Sequence, residues 1–114
     1  ANWEMREANI ITASMLTRYP DIKGILAGND SMAMGALAAV KTIGKLGAIQ
    51  IVGFDNISAV NQAIAAGEIL ATADQHADKL AAYGIDYALA LLADDKAILA
   101  DRETPVDLVT AKDI

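Results

Sequence analysis

Apolar positions alternate between two rhythms along the chain. Between Asn2 and Thr17, Met5, Ala8, Ile11, Thr12, Met15 and Leu16 fall at steps of three and four, which predicts an amphipathic helix. Asn2 is a natural cap for it, and Glu4 and Glu7 suit the positive end of its dipole. Tyr19-Pro20-Asp21 stops the pattern, because proline pushes the preceding residue to extended backbone. Ile22–Ala27 is then a short apolar run of strand type. A second helix is predicted from Ser31 to Thr42, with Ala33, Ala36, Leu37, Val40 and Ile43 inward and Gly44 as its left-handed end. After a loop at Lys45–Ala48, Ile49–Phe54 is a β-branched run closed by Asp55 and Asn56. Ser58 caps a helix ending at Ala66 and Gly67. Ile69–Ala73 reads as a weaker strand. Asp78 caps a fourth helix whose inner face is Leu80, Tyr83, Gly84, Tyr87, Ala88, Leu91 and Leu92. Asp94, Asp95 and Lys96 form a solvated turn, and Thr104–Thr110 is a last strand behind Pro105.

The order is α-β-α-β-α-β-α-β, which predicts an α/β fold: a doubly wound parallel sheet with helices on both faces. Such a sheet normally begins with a strand. A chain that begins with a helix is therefore expected to lack a strand at its N-terminal side, leaving one sheet edge uncovered.

Composition narrows the function more than the fold. The 114 residues are one domain's length, 54% are hydrophobic, and the net charge is −6 with no Lys/Arg cluster. Direct nucleic-acid binding is not expected. There is no cysteine, so no disulfide, thiolate nucleophile or cysteine-held metal. No apolar run approaches the ~18 residues of a membrane span. The opening Ala1-Asn2-Trp3 reads as a point inside a longer protein.

Polar residues gather where the strands end: Asn29 and Asp30, Asp55 and Asn56, Asp74 and Gln75. In open α/β sheets ligands bind at that rim. Carboxylates that accept, amides that do both and a nearby aromatic suit a polyhydroxyl ligand, whose ring also offers a C–H face. Phe54 and Trp3 are the aromatics in reach. Each residue has a purely structural role open to it as well. Asp30 precedes Ser31 and would cap the second helix. Asn29 and Asp55 suit Asx turns. Phe54 suits the core, Trp3 a hydrophobic staple, His76 the surface, and Met32 and Met34 helix packing. No nucleophile elbow, phosphate loop or dinucleotide fingerprint is present, and His76 is the only histidine.

Four motifs, in order, resemble the ribose-binding-type periplasmic sugar-binding proteins, the solute receptors of ABC transporters. They are P-D-I-K-G-I-L-A-G-N-D-S-M-A-M-G-A-L-A-A-V (Pro20–Val40), I-V-G-F-D (Ile51–Asp55), G-E-I-L-A-T-A-D-Q (Gly67–Gln75) and T-P-V-D-L-V-T (Thr104–Thr110). The resemblance covers the carboxyl-terminal half of such a type 1 periplasmic binding protein. It implies two flavodoxin-like lobes closing on a small sugar or polyol, with no cofactor, no metal and no enzymatic activity. It assigns hydroxyl contacts to Asn29, Asp55 and Gln75, the last near the hinge. It gives ring stacking to Trp3 and a lining or supporting place to Phe54. Residues 1–75 would be part of the carboxyl-terminal lobe, and 76–103 a helix that packs on the missing amino-terminal lobe. Residues 104–114 would be the hinge return and final strand. The implied partners are that lobe and a membrane permease. The implied location is the periplasm, or outside the cell on a lipid anchor. The isolated chain is then expected to be marginally stable or to self-associate through its unpartnered helix. A lac-repressor-type effector domain shares this fold and is the alternative. A flavodoxin-like enzyme or phospho-receiver is more distant.

Overall fold

The computed structural model describes residues 1–114. The elements are α1 (Met5–Arg18), β1 (Gly24–Leu26), α2 (Asp30–Thr42), β2 (Gln50–Phe54), α3 (Ser58–Ala65), β3 (Ala71–Asp74), α4 (Ala77–Ala93) and β4 (Asp107–Thr110). All eight predicted elements are present, and β1 is trimmed to three residues. One sheet runs β1-β2-β3-β4. The first three strands are parallel, with Leu26 opposite Val52 and Val52 opposite Ala71. β4 departs from the all-parallel expectation: it pairs antiparallel to β3, from Ala71–Thr110 to Asp74–Asp107. Alternation of side chains does not encode strand direction; the path of the chain between β3 and β4 does.

The core lies on one side of this sheet. Leu16 from α1, Leu37 and Val40 from α2, Ile51 from β2, and Val60 and Ile64 from α3 form one buried cluster. Strand order and chain order coincide, so right-handed crossovers put α2 and α3 on the same face. α1 packs on α2 so closely that a Cβ at Gly35 would overlap the Met5 carbonyl oxygen. Asn9 Nδ2 donates to the Gly35 carbonyl at 3.2 Å at this crossing. Within this chain the helices thus cover one face, where the sequence predicts both. The other carries Leu26, 86% exposed, and Leu108, 66% exposed.

Helix starts depart from expectation. Asn2 is not the cap of α1. Asn2 and Trp3 have φ of 50° and 57°, and the N-cap Glu4 makes no side-chain capping bond. Ile57, not Ser58, precedes α3, and His76, not Asp78, stands at the N-cap of α4 with φ 53°. Asn29, not Asp30, caps α2. A cap is chosen by where the chain turns into the helix, and residue type alone leaves two or three neighbours eligible.

α4 contains no buried residue. Its predicted inner face is covered only at Tyr83 and Tyr87, by the segment that follows. Arg102 lies over both rings, 4.1 Å and 5.9 Å from their centroids, and the Tyr87 hydroxyl donates to the Ala100 carbonyl. Leu80, Leu91 and Leu92 are exposed, Leu92 at 84%.

The edge of β1 is open. Lys23 O and Ala27 N bond to β2, so Gly24 and Leu26 turn their N–H and C=O outward. α1 overhangs this edge. Between them runs a groove of about 490 Å³, lined by Ile11, Met15, Leu16, Ile25 and Leu26 among others.

Candidate functional site

Three parallel strands end on one side of the sheet, and their carboxyl ends make a shared rim. The polar residues after β1, β2 and β3 meet there. The apolar groove at the β1 edge is a separate feature; its lining contains none of Asp55, Asn56, Asp74 and Gln75.

Asn29 follows β1 and turns the chain into α2. Its Oδ1 accepts the Met32 N–H at 2.9 Å, so the capping role is real. Its Nδ2 donates to the Trp3 carbonyl at 3.4 Å. That contact ties the rim to the left-handed turn before α1. Trp3 itself is 70% exposed, a largely open flat surface whose backbone carbonyl is tied to the rim.

Asp55 follows β2 with φ 119°, and Asn56 follows with φ 59°. Two successive non-glycine residues with positive φ are costly unless the surroundings impose them, and such strain concentrates at functional sites. Asp55 Oδ1 accepts from Gln75 Nε2 at 2.8 Å. The structure therefore brings Asp55 and Gln75 into direct contact, and Asn29 to Trp3. Phe54 precedes Asp55 and is half-buried. It shares the pleat of Val52, on the face without helices, as the register pairing Phe54 with Ala73 requires.

Four residues have larger roles than their sequence context suggests. Asp30, expected as a cap, is fully buried; its Oδ1 accepts from Thr72 Oγ1 at 2.7 Å and its Oδ2 from the Ile57 N–H at 2.9 Å. Asn56 Nδ2 donates to Asp74 Oδ2 at 3.0 Å, and its Oδ1 accepts from Asn61 at 2.6 Å. His76, expected as a surface residue, joins β3 to β4. Its amide donates to Asp74 Oδ1 at 2.8 Å, and its Nε2 lies 2.6 Å from Asp107 Oδ2. The His76 amide first, then the Asn56 side chain, hold the Asp74 carboxyl below its usual range. The Asp74-x-His76 spacing was a usable signal, since an Asx turn bonds the amide two residues on. Thr72 carried none, because its partner stands 42 residues away.

Chemically, the rim offers carboxylate acceptors and amide groups fixed by neighbours, beside an exposed aromatic. That set can hold hydroxyls in defined directions.

The profile of the periplasmic binding protein domain matches residues 1–96. The chain is 47% identical to the D-ribose/D-allose-binding protein of Pseudomonas aeruginosa, over 96% of its own length and 35% of the other's. Among solved structures it resembles an ABC transporter periplasmic solute-binding protein from Actinobacillus succinogenes with bound D-allose. The TM-score there is 0.90 at 33% identity, covering 99% of this chain and 39% of the other. It also resembles the Caulobacter myo-inositol binding protein bound to myo-inositol, with TM-score 0.90 and 30% identity over 96% and 38% of the two chains. The chain thus spans a little over a third of the length of these relatives. All three are binding proteins for a sugar or polyol, one of them of an ABC transporter, and they lend no support to the repressor alternative. No helix is long and apolar enough to cross a membrane.

Proposed function

The chain belongs to the periplasmic binding protein family, and on that premise we propose that it serves the sugar-binding component of an ABC importer. It supplies most of one lobe, and the ligand is a small sugar or polyol. The observation that carries this is the meeting of Asp55 and Gln75 at the rim, on a turn held at positive φ. Asp55 accepts from sugar hydroxyls, Gln75 and Asn29 donate and accept, and Trp3 packs on the C–H face of the ring. Phe54 supports Asp55 from the neighbouring strand position. These bonds strengthen when a second lobe closes and excludes water. The work is binding, with no chemical step.

Residues 1–75 form the lobe in this reading. Residues 76–103 carry α4, which packs on the amino-terminal lobe, and 104–114 return as the final strand. The bare apolar surface of α4 supports this division. The complete protein works in the periplasm, or outside the cell on a lipid anchor, and delivers its ligand to a membrane permease.

Titration calorimetry on the complete protein with D-ribose, D-allose and myo-inositol tests the proposal. One of them should bind with a Kd in the micromolar range or below, and Asp55→Ala should weaken that binding by about a hundredfold, the worth of a hydrogen bond to a charged group. Failure to bind any of the three, or binding untouched by Asp55→Ala, overturns it.

A further inference from the structure

Asp55 is presented by a backbone that does not hold itself. Its φ of 119° and the 59° of Asn56 are conformations a non-glycine chain leaves unless restrained. The restraint is visible in three consecutive amides. The Asp55 N–H donates to the Ala73 carbonyl at 2.8 Å. The Asn56 N–H donates to Thr72 Oγ1 at 3.3 Å. The Ile57 N–H donates to Asp30 Oδ2 at 2.9 Å. The Thr72 hydroxyl in turn donates a hydrogen bond to Asp30 Oδ1 at 2.7 Å, so two of the three amides lead to one carboxylate.

The rest of the fold is shaped to keep that carboxylate in place. Asp30 is fully buried in the first turn of α2, where the helix dipole favours an acceptor group. A Cβ at position 53 would overlap Asp30 Oδ1, so Gly53 leaves room for it. No buried side-chain polar atom is left unpaired.

We infer that Asp30, acting directly and through Thr72, is the positioning residue that fixes the Asp55–Asn56 turn and so sets the sugar affinity of Asp55. The inference rests on the proposed sugar site, and Asp30 itself touches no ligand. A carboxylate suits the task because it accepts at both oxygens. An amide could satisfy Ile57 only by turning its NH₂ towards Thr72. A capping role alone would be discharged by Asn29, which already caps α2.

The test separates positioning from stability. Asp30→Ala removes both acceptors. Thr72→Val keeps the Asp30–Ile57 bond and removes the donor to Asp30 Oδ1 together with the acceptor for the Asn56 N–H, a smaller loss than Asp30→Ala that covers the case in which the latter does not fold. Thr72→Ser restores the hydroxyl. In the complete protein, Thr72→Val should weaken binding of D-ribose or D-allose by about tenfold, the equivalent of one well-placed hydrogen bond. Thr72→Ser should bind like the wild type. In an Asp55→Ala background, Thr72→Val should change affinity no further. In backbone NMR spectra, Thr72→Val should shift the Asp55 and Asn56 amides and speed hydrogen exchange at Asn56. Unchanged affinity in the folded Thr72→Val protein overturns the inference, as does an equal loss in the Asp55→Ala background. If the wild type binds neither of these sugars nor myo-inositol, the proposed function fails. The Asp55 and Asn56 amide signals then decide the positioning role by themselves, and unshifted signals in Thr72→Val reject it.

Discussion

Gln75 Nε2 donates to Asp55 Oδ1 across 2.8 Å and joins the end of β3 to the turn after β2. A carboxylate held by one amide keeps its remaining lone pairs in fixed directions. Gln75→Ala is expected to weaken sugar binding by the complete protein by about 1 kcal/mol, the usual worth of one hydrogen bond. Gln75→Glu sets a like charge against Asp55 and should cost more. Calorimetry reads both, and wild-type affinity in both variants would remove Gln75 from the site.

Gly53→Ala should destabilise the fold by about 1–3 kcal/mol through overpacking. The added methyl meets Asp30 Oδ1 and lies 3.2 Å from Ala33 Cβ, and Asp30 is held by bonds at both oxygens. Gly84→Ala is the contrasting change. Nothing lies within 4 Å of a Cβ at Gly84, inside α4, so a gain of up to ~1 kcal/mol is expected from helix propensity. Urea melts of the two variants should shift in opposite directions; shifts of the same sign contradict the packing described for Gly53.

Acid should unfold the protein partly through Asp74. Bonds from the His76 amide and the Asn56 side chain hold its carboxyl below the ordinary value of 3.8. The unfolded chain therefore takes up this proton at a higher pH than the folded one. Asp74's contribution is complete above pH 3.8 and is lost as pH falls through the lower folded value. Asp113, lowered by the Thr110 amide and hydroxyl, acts with the same sign. Stability measured across the acid range should fall less steeply in Asp74→Asn than in the wild type. Identical acid limbs would exclude Asp74 as a contributor.

Ile85, Leu89 and Leu92 follow one another at steps of four and three on α4, and all three are exposed. A 114-residue chain with this surface should associate as its concentration rises. Sedimentation velocity should show a rising average mass, and Ile85→Glu with Leu89→Glu should reduce it. A wild-type chain that stays monomeric at every concentration refutes the expectation.

Much of the fold was legible because periodicity is local. Leu37 and Val40 on α2, or Ile51 on β2, announce their faces within one or two turns of chain. The direction of β4 was not legible, since Leu108 and Val109 alternate in the same way in either orientation. At the site, Asn29, Asp55 and Gln75 stood out only through the family resemblance, since their local pattern is shared by Asp30, Asn56 and Asp74. Asp30 did not, because an Asn-Asp pair before a helix offers two equal capping candidates. Only its partners, Ile57 and Thr72, reveal that one of them caps and the other is buried. The link of His76 to Asp107 was out of reach for the same reason, since Asp107 lies 31 residues further along the chain.

The coincidence of strand order with chain order has a kinetic consequence. Each strand from β2 to β4 docks beside the one made just before it, so the sheet can grow from one edge with only modest loops to close. The Asp30–Thr72 bond is the exception, because it waits for β3. In chain order α2 and β2 both precede Thr72. A sheet that grows in this order would leave the Asp55–Asn56 turn without its Ala73 and Thr72 bonds until β3 docks.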